Sequence, residues 1–215
     1  MDTLSSWIAL AGTVAFAVTA VLAVAPKGVD IFGAVVLGII TAVGGGTVRD
    51  LILGVPVFWS TDLTNIWVAL GASLAAFVWL SFLARGTVHS LMLYLDGLGV
   101  ALFAIEATHK VWQLNFGLPL APIILGIVTA IGGGLMRDVL AGRKNLLMSR
   151  DIYAIPVLLG CTLYVILLEF VPGNSLVPAG VCFVLIFGLR AAAIHWNLAV
   201  PVWLVTGSRE KSEAS

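Results

Sequence analysis

Charge is scarce in this sequence. Only 10% of its 215 residues are Asp, Glu, Lys or Arg, against about 25% in ordinary soluble domains. With 60% hydrophobic residues, so few charges cannot cover the surface of a soluble protein this long, and a soluble globular domain is excluded. The 11 basic and 11 acidic side chains cancel, so no clustered basic surface exists to bind phosphates, and nucleic acid is excluded as a partner. Cysteine is nearly absent. Cys161 and Cys182 lie inside long apolar runs at no motif spacing, either as small packing residues or as a bridge between neighbouring helices. No metal or redox motif and no Ser-His-Asp set can be assembled, and no phosphate loop either, because the glycine runs lack the lysine and Ser/Thr of a Walker pattern. The reading is therefore a non-enzyme without a cofactor. A basic leader is also missing: Asp2 is present and no Lys or Arg precedes Lys27, whereas a secretory n-region is basic. The first apolar run reads as a retained spanning helix.

What the sequence does contain is apolar runs of spanning length. They fall at about 6–25, 31–53, 65–84, 90–107, 118–141, 152–171 and 176–194, each near the ~20 residues that cross a bilayer. Short separators carry Pro, Gly, Asn and charge: Pro26-Lys27-Gly28, Pro56 with Ser60-Thr61-Asp62, Arg85-Gly86, His109-Lys110, Arg143-Lys144-Asn145 and Pro172-Gly173-Asn174. The runs are about twice the length of a barrel strand and do not alternate. The fold class read here is an all-α integral membrane protein of seven transmembrane helices, in one transmembrane domain over 1–206. A short apolar stretch at 198–205 reads as interfacial, and 207–215 as a polar tail.

The basic residues give an orientation. Lys27, Arg85, Arg143, Lys144, Arg150, Arg190, Arg209 and Lys211 fall on one side, and Lys110 alone lies in a loop on the other. The positive-inside rule then puts the N-terminus outside and the C-terminus in the cytoplasm. Trp7, Trp59, Trp67 and Trp112 fall near the outer ends and Trp196 and Trp203 near the inner one, as interfacial rings should; Trp79 fits less well.

The chain contains a repeat. Residues 37–54 read LGIITAVGGGTVRDLILG and residues 125–142 read LGIVTAIGGGLMRDVLAG, with 11 of 18 positions identical at an offset of 88. Gly12 with Ala15-Phe16-Ala17 also resembles Gly99 with Leu102-Phe103-Ala104, at an offset of 87. Each unit is three helices, about 6–85 and about 88–171, with the helix at 176–194 extra. An odd number of spans per unit makes the two halves an inverted repeat, related by a pseudo-two-fold axis in the membrane plane.

Three consecutive glycines are costly inside a spanning helix, about 1 kcal/mol each relative to Ala. If the helix kinks or unwinds there, the carbonyls from Val43 through Gly44, Gly45 and Gly46, and from Ile131 through Gly132, Gly133 and Gly134, lose partners. Such a break is tolerable only beside water or protein. A half-helix ending at Val43 or Ile131 would point the negative end of its dipole and free oxygens at a small cation, with Thr41 and Thr129 adding hydroxyls one turn earlier. Neutral oxygens of this kind suit weak, fast binding of a monovalent cation such as K⁺. The competing reading is close helix packing, which small residues also permit.

Packing alone does not call for charge, yet Arg49-Asp50 and Arg137-Asp138 follow the glycines within predicted spans. Ionisable groups there point to function: each Arg gates a pore mouth, or braces the two halves through an ion pair. Asp96 lies in the fourth run, as a pore-facing carboxylate or an interhelical hydrogen-bond partner. Glu106, His109 and Lys110 read as an interfacial cluster, and Glu169 as a helix-end charge.

Two copies of TA-x-GGG-x-x-RD in two three-helix repeats, followed by a seventh helix, resemble the prokaryotic trimeric intracellular cation (TRIC) channel family. The resemblance implies a multi-pass protein of the prokaryotic inner membrane and a homotrimer in the lipid bilayer. Each protomer then has its own pore, lined by helices 2 and 5 kinked at Gly44–Gly46 and Gly132–Gly134, with Arg49, Asp50, Arg137 and Asp138 beside them. It implies permeation by monovalent cations, chiefly K⁺, with Na⁺ as a second candidate. The rival is a secondary transporter of a small solute such as the amino acid glycine, because inverted repeats and broken helices are also typical of transporters.

Overall fold

The computed structural model describes residues 3–80, 85–149, 152–171 and 175–199, all helix, turn or loop apart from a single bridge position. Seven of its helices are long: α1 (Thr3–Val24), α2 (Ile31–Leu53), α3 (Thr64–Leu80), α4 (Arg85–Gln113), α5 (Leu120–Leu140), α6 (Ala154–Phe170) and α7 (Leu176–His195). A one-turn helix, Phe58–Thr61, follows α2. Within the described residues α1, α2, α4, α5 and α7 each contain a stretch long and apolar enough to cross a membrane, while α3 and α6 are apolar but 17 residues long. Residues 200–205 of the interfacial segment expected at 198–205, the polar tail, the Pro172-Gly173-Asn174 separator, and Arg150, Trp203, Arg209 and Lys211 lie outside the described residues.

Local chemistry explains several boundaries. The Asp30 carboxylate accepts the Gly33 N–H at 2.7 Å and caps α2, satisfying one of the donors a helix start leaves unpaired. At its other end Gly54 turns left-handed with φ 66°, and Gly142 does the same after α5 with φ 55°, a conformation that suits glycine. These two glycines are 88 residues apart. The fourth helix corrects the sequence reading. Both Arg85-Gly86 and His109-Lys110, read as separators, lie inside the 29-residue α4. Polarity marks a helix end only where it meets water, and here Glu106 and Lys110 are matched by partners inside the protein.

Within α1–α2–α3 and within α4–α5–α6 every helix touches the other two, α1 packs on α4 and α2 on α5 between these groups, and α7 lies against α4 and α6. Their contacts recur at the sequence offset. Gly38 of α2 faces the Ser73 side chain and the Ala17 carbonyl; Gly126 of α5, 88 residues on, faces the Thr108 and Cys161 side chains and the Ala104 carbonyl. Gly12 packs on the Phe103 ring and Gly99 on the Phe16 ring, and the two rings meet at 5.2 Å between centroids. Cys161 and Cys182 are free and buried, so the packing role holds for both.

At the centre α2 crosses α5. A Cβ placed on Gly45 would collide with the Thr129 carbonyl oxygen, and one on Gly133 with the Thr41 carbonyl oxygen; one on Gly132 would lie 3.3 Å from the Gly45 Cα. Contact of 45 with 129 and of 41 with 133 makes the crossing antiparallel. Both helices remain α-helical through all three glycines. The expected unwinding, with carbonyls released, is therefore corrected: the bonding N–H groups are all present, and the triplets remove side chains so that two intact backbones touch. Their helix-propensity cost, about 1 kcal/mol each, is offset by the close packing they permit.

A side chain at this crossing has nowhere to go. Gly45→Leu or Gly133→Leu should lower the melting temperature of the purified protein in detergent by about 5 °C or more. Gly71→Leu, at a position with nothing within 4 Å, should leave it unchanged. Equal melting temperatures for all three variants would remove the contact from the account.

Candidate functional site

The two Arg-Asp pairs sit at opposite ends of the glycine crossing, about one turn beyond Gly45 and Gly133 in their helices. All four residues are buried. In each pair the arginine reaches its own neighbour: Arg49 Nε donates to Asp50 Oδ1 at 2.8 Å and Arg137 Nε to Asp138 Oδ1 at 2.9 Å. The second carboxylate oxygen accepts a backbone N–H eight residues further on, Phe58 for Asp50 at 2.9 Å and Leu146 for Asp138 at 3.2 Å. Each aspartate thereby ties the loop after its helix back onto the helix. These contacts lie within one half of the molecule each, Asp50 with Phe58 and Asp138 with Leu146.

Beyond these shared parts, α4 supplies different partners to the two ends. At the first, Arg49 Nη1 donates to Glu106 and Lys110 Nζ to Asp50 Oδ1 at 2.8 Å. The Phe58 ring lies 5.9 Å from the Arg49 guanidinium, and a Cβ on Gly46 would meet that ring at 2.7 Å. At the second end, Arg137 Nη1 donates to Thr19 at 3.0 Å and to Asp96 Oδ1 at 2.8 Å. Arg190 of α7 completes it. Its Nη2 lies 3.8 Å from Asp96 Oδ2, its Nη1 donates to the Ile152 carbonyl at 3.1 Å, and it rests on the Tyr153 ring at 4.5 Å.

Each end thus gathers two cations and two carboxylates: Arg49 and Lys110 with Asp50 and Glu106, and Arg137 and Arg190 with Asp96 and Asp138. Buried charge of this kind is tolerated because it is matched; removing one member leaves an uncompensated charge at a cost of about 3–5 kcal/mol. The two ends differ in completeness. Among the described residues, Asp96 Oδ2, Arg137 Nη2 and Arg190 Nε are buried without a hydrogen-bond partner, whereas no buried atom of Arg49, Asp50 or Glu106 is in that position.

A cavity opens beside each end. One, about 310 Å³, is lined by Phe58, Asp62, Asn65, Glu106 and Lys110 among others. The second, about 420 Å³, is lined by His89, Arg143, Lys144, Leu146 and Arg190 among others. Phe58 and Leu146 are again 88 residues apart. In the first cavity the Thr64 hydroxyl and N–H bond the exposed Asp62 carboxylate and hold it below the ordinary carboxylate range.

Of the residues named from sequence, Thr41, Gly45, Thr129, Gly132 and Gly133 come together at the crossing, with Val43, Gly44 and Ile131 buried beside it and Gly46 and Gly134 facing the two charged ends. Thr41 and Thr129 donate their hydroxyls to the Leu37 and Leu125 carbonyls of their own helices. Asp96 accepts an interhelical hydrogen bond from Arg137. Glu106 and Lys110, read as interfacial, belong to the buried site, and Arg190, counted among the orienting charges, is 2% exposed and belongs to the opposite one. Thr19 was missed. It occupies for Arg137 the place of Glu106 for Arg49, and the 87-residue offset of the first helices relates the two positions.

Comparison with known proteins agrees with this architecture. The sequence model of a family described as glycine transporter matches residues 6–81 and 93–169. The UPF0126 inner membrane protein YadS of Escherichia coli is 35% identical over 92% of this chain and 95% of its own length; the UPF0126 membrane protein of Vibrio cholerae is 32% identical over 91% of this chain and 81% of its own. Among solved structures, a TRIC trimeric intracellular cation channel orthologue from Rhodobacter sphaeroides superposes with a TM-score of 0.86 at 34% identity, covering 92% of this chain and 100% of that one. A prokaryotic TRIC channel crystallised in 0.5 M KCl superposes with a TM-score of 0.84 at 27% identity, covering 92% and 98%. On these grounds the chain belongs to the TRIC family, together with the UPF0126 membrane proteins and under the family model described as glycine transporter.

Proposed function

We propose that the protein is a passive monovalent-cation channel, chiefly for K⁺ and with Na⁺ as a second ion, of a prokaryotic inner membrane. The observation that carries this reading is the pair of charge-balanced, buried Arg-Asp sites, each beside its own cavity, at the two ends of one glycine crossing. In it all seven long helices span, α1–α3 and α4–α6 are an inverted repeat, and the N-terminus lies outside with the C-terminus in the cytoplasm. Contacts that recur at offsets of 87 and 88, and the antiparallel crossing, support the repeat. Similarity to TRIC channels supports a homotrimer with one path per protomer.

The path in this reading runs along the α2–α5 crossing. Carbonyl oxygens around Val43–Gly46 and Ile131–Gly134 line it once the two backbones, in contact here, move apart. Since both helices are intact here, this reading takes the arrangement for a closed state. Arg49 and Arg137 bridge the mouths, and ions pass when those bridges part. A second reading, secondary transport of a small amino acid such as glycine, draws on the description of the matching family model.

Purified protein in planar bilayers separates the two. Discrete ohmic openings, with a reversal potential that follows the K⁺ gradient, are expected; saturable glycine uptake without unitary current would replace the channel by the transporter.

A charge-neutral change tests the bridges. Arg137→Gln alone should destabilise the protein by about 3 kcal/mol, because Arg190 is left with two buried carboxylates and one negative charge is uncompensated. Adding Asp96→Asn should recover at least half of that loss and raise K⁺ flux above wild type. Recovery of stability with flux at or below wild type would leave the network a brace and no gate.

A further inference from the structure

The two aspartates differ by one ammonium group. Asp50 and Asp138 share an arginine Nε on Oδ1 and a backbone N–H on Oδ2. Asp50 Oδ1 takes one bond more, from Lys110 Nζ at 2.8 Å. Near Asp138 the corresponding lysine chemistry is spent elsewhere: Lys27 Nζ donates to the Ala141 and Gly142 carbonyls at the end of α5, and Arg143 Nη1 to the Ala23 carbonyl.

Lys110 is also the member of its cluster that reaches in from the cavity. Its side chain is 17% exposed, whereas those of Arg49 and Asp50 are 2% and 0% exposed. It lines the cavity with Glu106, whose rim carries the ionised Asp62. Without its bond Asp50 is still held on both oxygens, by Arg49 and by the Phe58 N–H. Its charge is decisive for the cluster: with Lys110 the four groups sum to zero, and without it they carry one net negative charge facing the cavity.

We propose that the Lys110 ammonium is a tethered counter-ion that occupies the monovalent-cation position at Asp50, and so limits cation entry at this mouth of the path. The proposal rests on the channel reading. A lysine ammonium is a compact point charge on a flexible four-carbon stem, the side chain best able to stand in for a small cation and to swing aside for one. An entering ion must displace it from Asp50, and its charge opposes the ion's approach through a cavity whose walls focus the field.

The test is K⁺ current through the full-length protein in planar bilayers, comparing wild type, Lys110→Gln and Lys110→Arg. In 0.1 M KCl, Lys110→Gln should carry at least about threefold more current than wild type and Lys110→Arg less than Lys110→Gln. The Lys110→Gln excess should shrink in 1 M KCl, where the screening length falls to about 3 Å. Lys110→Gln current equal to or below that of wild type would overturn the proposal and leave Lys110 a structural brace. Lys110→Cys provides the control for folding: 2-aminoethyl methanethiosulfonate, whose sulfinate leaves as the disulfide forms, restores the ammonium on the same protein and should lower its current, and an unchanged current would overturn the proposal as well. Absence of any wild-type current defeats the channel reading itself and is distinguishable from both outcomes.

Discussion

Two backbone contacts fix this molecule: Gly45 against the Thr129 carbonyl and Gly133 against the Thr41 carbonyl. In a bilayer, helices gain little from hiding apolar surface from lipid, so close van der Waals approach carries the association. Glycine permits an approach that any Cβ would block, and its position sets everything one turn away. The Arg-Asp pairs follow the triplets at fixed spacing, so the crossing determines where Arg49 meets α4 and where Arg137 meets α1 and α4.

From that geometry the electrostatics follows. Arginines a turn beyond the crossing would be intolerable alone in an apolar interior. Each is matched by its own aspartate and by groups from α4, and the aspartates in turn hold the N–H groups of Phe58 and Leu146. In the proposed channel these bridges join structure and mechanism, since a matched charge spanning a mouth would be both a brace and a barrier. The asymmetry between the ends is chemical: one carries Glu106 and Lys110, and the other Asp96 and Arg190, with unpartnered polar atoms on Asp96, Arg137 and Arg190.

Much of the fold was legible because its signals are local. Asp30 and Gly54 bound α2 at residues 31 and 53, where the apolar run also begins and ends. The duplicated motif identified both central helices and all four Arg-Asp residues. Less legible were features that depend on partners distant in sequence. Glu106 and Lys110, close to His109, read as an interfacial cluster, because nothing nearby in sequence reveals that Arg49 and Asp50 face them. Arg190 read as an orienting charge at the end of an apolar run, although an arginine after so long a run is itself a signal of a buried partner. The triple glycines carried two meanings, a broken helix or a close crossing, and only the position of the opposing backbone decides between them.

The central claim is that cations cross each protomer along the α2–α5 crossing, between the Asp50 and Asp138 sites. Crystals of the protein grown in RbCl test it most directly, because rubidium scatters anomalously and substitutes for K⁺. Anomalous density is expected within each protomer, beside Thr41–Gly46 and Thr129–Gly134 or at the two charged mouths. Density confined to the axis between protomers, with none along the crossing, would contradict the account.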